Sequence, residues 1–149
     1  MRRNRFFVVS IPLMLCAATA VASPDVDRIF AEQDSNGDGV ITQAESRAGA
    51  VRDFRKLDTN GDGVLVAAEV NAWVTASSPG GKGFPPEAHA ALLDATMRLW
   101  DVDGDGRTTL AELQQIYVAS LLAADHDGDG QVTREELRRF HQGVIAPAR

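Results

Sequence analysis

Asp125-His126-Asp127-Gly128-Asp129-Gly130-Gln131-Val132-Thr133-Arg134-Glu135-Glu136 places oxygen donors at intervals suited to one hard cation. Asp125, Asp127 and Asp129, at positions 1, 3 and 5, converge on a point only if the backbone turns sharply, which Gly130 at position 6 permits. Gln131 at position 7 then lends its backbone carbonyl, Thr133 at position 9 acts through water, and Glu136 at position 12 closes the shell with both oxygens. Three more stretches keep this spacing. Loop 1 has Asp34, Asn36, Asp38, Gly39, Val40, Thr42 and Glu45; loop 2 has Asp58, Asn60, Asp62, Gly63, Val64, Val66 and Glu69. Loop 3 has Asp101, Asp103, Asp105, Gly106, Arg107, Thr109 and Glu112. One such stretch also reads as a solvated Asx-turn, but four in the same register do not.

The loops are unequal. Loops 3 and 4 each offer four acidic ligands, whereas loops 1 and 2 replace one with Asn36 and Asn60. Val66, at position 9 of loop 2, has no side-chain oxygen to hold a water, so loop 2 is expected to be the weakest site. At position 8, Thr108 stands where the other loops have Ile41, Leu65 and Val132, though it still suits a short strand.

The repeated pattern D-x-[DN]-x-[DN]-G-x5-E resembles the EF-hand calcium loop, and the resemblance covers nearly all of residues 23–149. It implies an all-α fold, an array of helix-loop-helix units with four calcium loops and short β-contacts between paired loops, binding up to four Ca2+ ions. The short repeat is similar to that of exported EF-hand proteins of bacterial cell envelopes. It is also similar to lanmodulin, an exported lanthanide binder, whose segment before a loop Phe54-Arg55-Lys56-Leu57-Asp58 resembles. Lanmodulin-like loops carry Pro at position 2 and Asp at position 9. Here position 2 is Ser35, Thr59, Val102 or His126, and position 9 is Thr42, Val66, Thr109 or Thr133.

The elements that must hold these loops follow from the gaps between them. Twelve residues separate loops 1 and 2, twelve separate loops 3 and 4, and 31 separate loops 2 and 3, so the repeat period is 24 within each half. Twelve residues plus the last turn of a loop make about 15, roughly 22 Å of helix, which suits one helix better than two. Single helices are therefore expected over Gln43–Leu57 and Leu110–Ala124. Leu113, Ile116, Tyr117, Leu121 and Ala124 mark the core face of the second; Ala48, Val51 and Phe54 mark that of the first, where Gly49 could break the helix. Ser23-Pro24 reads as a helix start, followed by Val26, Ile29 and Phe30 on one face. Val70, Trp73, Val74, Leu93, Met97, Trp100, Leu137 and Phe140 read as further core.

Such helices hold loops 1 and 2 apart. The 31-residue connection can instead fold as a helical hairpin that sets Leu65 beside Thr108, leaving Ile41 to meet Val132. A break at Gly49 would restore pairing of loop 1 with 2 and loop 3 with 4.

Residues 1–22 read as a secretory signal peptide: Arg2, Arg3 and Arg5, an apolar run from Phe6 to Ala18, and Ala20-Val21-Ala22 before the cut. An uncleaved anchor is the alternative, but Phe6 to Ala22 is short for a membrane span and contains Pro12. Arg2-Arg3 resembles a twin-arginine pair with its Phe one place late, and Cys16 follows a Leu15 too bulky for a lipoprotein site. Residues 23–149 then form one four-loop domain, with halves 23–76 and 87–149 and a turn-rich linker at 77–86.

Cleavage removes three arginines and takes the formal charge from −6 to −9, and it removes the sole cysteine. Disulfides and thiol chemistry are thereby excluded from the mature chain. Its acidity argues against nucleic acid or an anionic membrane as partner. Catalysis has no support: His89, His126 and His141 are expected at the surface without a second His or Cys nearby, and the carboxylates outside the loops, Asp53 and Asp94 among them, as solvated faces.

The favoured reading is an exported, periplasmic or secreted, monomeric calcium binder whose ions are buffered or hold the fold. The alternatives are a calcium sensor with a protein partner and a lanthanide carrier. The sensor lacks groove material, since Met97 is the only methionine outside the leader.

Overall fold

The structure, a computed structural model, describes residues 26–76, 78 and 83–145; the expected leader, the Ser23-Pro24 helix start and part of the expected linker lie outside these residues. In chain order the elements are α1 (Val26–Gln33), β1 (Val40–Thr42), α2 (Gln43–Leu57), β2 (Val64–Leu65) and α3 (Ala67–Ala76). They continue with α4 (Pro86–Trp100), β3 (Thr108–Thr109), α5 (Leu110–Ala124), β4 (Gln131–Thr133) and α6 (Arg134–Ile145). None of the described helices is long and apolar enough to cross a membrane.

The pairing of strands follows from the lengths of α2 and α5. Each runs unbroken from one loop to the next, so neither brings its two flanking loops together. β1 pairs antiparallel with β4, setting Ile41 opposite Val132, and β2 pairs antiparallel with β3, setting Leu65 opposite Thr108. The chain divides accordingly into two compact units. One comprises Val51–Leu113 with loops 2 and 3; the other comprises the described parts of Ser10–Ala50 and Gln114–Arg149 with loops 1 and 4. These units cut across the sequence halves 23–76 and 87–149, because each takes one loop from either side of the long connection.

In the unit of loops 1 and 4, Ile29 and Phe30 of α1, Leu121 and Ala124 of α5, and Leu137 of α6 pack around the Ile41–Val132 pair. The Arg134 guanidinium lies 4.3 Å from the centre of the Phe30 ring and donates to Asp27 at 2.6 Å, tying α6 to α1. α2 does not break at Gly49. Its missing side chain instead leaves room for the buried Gln33 side-chain amide, which a Cβ there would displace.

In the unit of loops 2 and 3, α3 and α4 form the helical hairpin. Trp73 of α3 and Trp100 at the end of α4 meet with ring centroids 5.4 Å apart and planes tilted by 46°, and Asn71 and His89 share a 2.6 Å hydrogen bond across the hairpin. Ser78 closes its turn by accepting from the Gly83 N–H at 2.7 Å and donating to the Thr75 carbonyl at 2.8 Å. α4 then starts with Pro86 in its first turn, where no intrahelical donor is needed.

The face of α2 is rotated from the expected one. Ala48 is exposed, whereas Ala50, Phe54 and Leu57 are buried, and Asp53, expected in solvent, is only 6% exposed and bonds Lys56 at 2.9 Å.

Candidate metal centre

Each loop is wired by its own side chains before any ion is considered. In loop 1, Asp34 accepts from the Gly37 N–H at 2.7 Å with one oxygen and from the Gly39 N–H at 3.0 Å with the other. Asn36 accepts from the Asp38 N–H at 2.8 Å, and Asp38 accepts from the Val40 N–H at 3.0 Å. The same pattern recurs from Asp58, Asn60 and Asp62, from Asp101, Asp103 and Asp105, and from Asp125, Asp127 and Asp129.

This wiring needs two glycines per loop. Gly37 and Gly39 sit at φ +74° and +89°, and the glycines at positions 4 and 6 of the other three loops repeat the pair. The sequence pattern singles out position 6 alone. Gly37, Gly61, Gly104 and Gly128 carry the same signal at position 4, visible as a second invariant spacing among the four repeats.

The position-12 glutamates are oriented at both oxygens. Glu136 Oε1 accepts from the backbone N–H groups of His126 at 3.0 Å and Asp127 at 3.4 Å. Its Oε2 accepts from the Thr133 N–H at 2.8 Å and the Thr133 hydroxyl at 2.7 Å, while the Glu136 N–H donates back to that hydroxyl at 3.3 Å. Thr133 to Glu136 is thus the reciprocal capping box of α6. Thr42 with Glu45 and Thr109 with Glu112 cap α2 and α5 in the same way. Position 9, expected to act through water, therefore has its hydroxyl on the glutamate in this structure.

Loop 2 differs at this point. Val66 offers only its N–H to Glu69 Oε2, at 3.2 Å, and the Glu69 N–H turns to the Val66 carbonyl at 3.0 Å. Oε1 of Glu69 is held as elsewhere, by the Thr59 N–H at 2.9 Å and the Thr59 hydroxyl at 3.2 Å.

These hydrogen bonds favour the charged carboxylates. The Glu136 carboxyl is lowered to about 2, chiefly by the Thr133 N–H and hydroxyl, which prevail over the upward push of burial, with smaller help from the His126 and Asp127 amides. Glu112 is lowered first by the Thr109 N–H. For Glu45 burial pushes upward, but the hydrogen bonds from Thr42, Asn36 and Ser35 together win and lower it. His141, expected at the surface, is half-buried, and burial lowers its pKa.

The acidic ligands gather most closely where there are four per loop. Oxygens of Asp101, Asp103 and Asp105 all lie within 4.8 Å of one another, as do those of Asp125, Asp127 and Glu136; Glu112 and Asp129 stand outside these two groups. In loops 1 and 2 the Asn36 amide donates to Asp38 at 2.9 Å and the Asn60 amide to Asp62 at 3.0 Å, so an internal hydrogen bond replaces one repulsive pair. Convergent, oxygen-only, largely anionic donors fit a hard cation such as calcium.

Matches to a protein family agree with this donor chemistry. A family model described as EF hand matches residues 51–69, which hold loop 2, and 118–141, which hold loop 4. A solved structure described as a homolog of programmed cell death 6 protein from Leishmania major Friedlin is similar at 16% identity and a TM-score of 0.35, over 83% of this chain and 95% of that one. None of the curated proteins compared matches the chain. The two family matches support the EF-hand superfamily and point to calcium binding.

Proposed function

From the two EF-hand matches, one in each unit, we propose that the chain binds about four Ca2+ ions, one in each loop, and is an exported protein that buffers calcium or is shaped by it, without catalysis of its own. Asp34, Asn36, Asp38 and Glu45 hold the first ion; Asp58, Asn60, Asp62 and Glu69 the second. Asp101, Asp103, Asp105 and Glu112 hold the third; Asp125, Asp127, Asp129 and Glu136 the fourth. Val40, Val64, Arg107 and Gln131 contribute backbone carbonyls, and Thr42, Thr109 and Thr133 brace the shell.

The observation that carries this reading is loop 4, where a family match coincides with three carboxylates whose oxygens lie within 4.8 Å of one another. Charges so close repel by on the order of 1 kcal/mol per pair even in a watery dielectric. A cation reverses the sign of that term. Four divalent ions take the mature charge from −9 to −1, and since the unfolded chain presents no formed site, the binding free energy appears as folding stability.

Export rests on Arg2, Arg3, Arg5 and the apolar run to Ala18. The test is a calorimetric titration of residues 23–149 with calcium, magnesium and lanthanum. Binding of about four calcium ions supports the reading. Lanthanum binding with calcium ignored would favour the lanthanide carrier, and no heat with any of the three would sink the proposal.

A further inference from the structure

We propose that calcium loads in two steps set by strand pairing and not by sequence order: loops 1 and 4 fill together first, and loops 2 and 3 fill together last. This rests on the calcium reading above. An ion that orders one strand of a two-stranded ladder also orders its partner, so the coupling free energy runs along β1–β4 and along β2–β3. Ligand charge cannot rank the two pairs, because each combines one loop of three carboxylates with one of four. The ranking comes from what holds the empty loops.

In the unit of loops 1 and 4 the ladder has three residue pairs, its centre is Ile41 against Val132, and both loops end in a Thr–Glu capping box. In the other unit the ladder has two residue pairs and sets Leu65 against Thr108. The Thr108 hydroxyl is fully buried with no hydrogen-bond partner among the described residues, and loop 2 lacks the capping box at Val66. A site whose binding-competent form is less populated binds with an apparent affinity reduced by that fraction. Loops 2 and 3 therefore need more calcium.

The chain carries reporters for this test. Both tryptophans, Trp73 and Trp100, lie in the unit of loops 2 and 3; the single tyrosine, Tyr117, lies in the unit of loops 1 and 4. Calcium titrations of residues 23–149 would follow tryptophan fluorescence and the Tyr117 ring resonances by NMR. The tryptophan midpoint should lie on the order of tenfold higher in calcium, the effect of one lost cap. Glu112→Gln should push the tryptophan midpoint up by a further order of magnitude or more and leave that of Tyr117 within about twofold. Val66→Thr should draw the two midpoints together. One shared transition, a Tyr117 midpoint above that of tryptophan, or a Glu112→Gln variant that moves both alike would overturn the proposal. The absence of any calcium response in either reporter would instead overturn the calcium reading beneath it.

Discussion

Loop 2 and loop 4 both match the EF hand and both end on a glutamate 8% exposed, yet they hold that carboxylate differently. In loop 4 the Thr133 N–H and hydroxyl reach Oε2 at 2.8 and 2.7 Å; in loop 2 the Val66 N–H alone reaches it, at 3.2 Å. One methyl in place of one hydroxyl removes the half of the reciprocal cap in which the hydroxyl accepts from the glutamate N–H, and leaves the other half as a single, longer contact. The lesson is that a cation loop is only as well formed as the start of the helix that follows it, since position 9 is the N-cap of that helix and position 12 is its third residue.

The largest effect on this comparison should come from Glu136→Gln. It removes the charge that accepts at both oxygens, and charged hydrogen bonds contribute about 1.5–3 kcal/mol each, so affinity at loop 4 should fall by on the order of a hundredfold. Glu135→Gln, at an exposed neighbour paired with Arg139 at 3.1 Å, should change it little. Equal losses in calorimetry would show that the register of the loop is misassigned.

Gly49→Ala comes next, because it strikes the better-formed unit through packing alone. Its methyl would overlap the Gln33 amide, and overpacking of this kind costs about 1–3 kcal/mol. Chemical denaturation should show that loss; a neutral result would mean that Gln33 swings aside freely.

Two substitutions should repair the weaker unit. Thr108→Val replaces a buried hydroxyl that lacks a partner among the described residues by a methyl of similar shape, and should stabilise by about 1–2 kcal/mol. Val66→Thr restores the cap and should add about 1 kcal/mol. Thermal melting of the calcium-free protein measures both. A loss of stability on Thr108→Val would indicate that the hydroxyl has a partner in solution.

The smallest effect is that of pH on the calcium-free protein. The folded carboxyl of Glu136 lies at about 2, below its ordinary 4.5, and those of Glu45 and Glu112 are also lowered, so the unfolded chain takes up protons first on acidification. Their contribution is complete above the ordinary carboxylate range and is lost as pH falls towards about 2. His141, lowered by burial from 6.5, acts in the same direction at higher pH. Melting temperatures that rise on acidification would contradict this wiring.

Much of this was legible in residue spacing. The gaps of 12, 31 and 12 residues carry the lengths of α2 and α5 and, through them, the pairing of Ile41 with Val132 and Leu65 with Thr108. What spacing could not supply was local. Gly49 looks like a helix breaker because its cost in a helix is visible in sequence, whereas the approach of the Gln33 side chain that fills the space beside it is a tertiary fact. Asp53 and Ala48 exchange their expected places because the buried face of α2 runs through Ala50, Asp53, Phe54 and Leu57, a face set by tertiary packing and not by the apolar pattern of the helix alone. The Thr–Glu boxes were present in the sequence as T-x-x-E, hidden beneath the ligand pattern that uses the same residues.

The central claim, four calcium loops working in the pairs 1 with 4 and 2 with 3, has a separate reporter in every loop. Gly39, Gly63, Gly106 and Gly130 each donate an N–H to the position-1 aspartate of their own loop, at 3.0, 3.1, 2.8 and 2.9 Å, so an ion on that carboxylate must perturb the amide. A calcium titration of glycine-labelled protein read by amide NMR should move all four resonances, Gly39 together with Gly130 and then Gly63 together with Gly106. Movement of only two of the four, or of Gly39 in step with Gly63, would contradict the account.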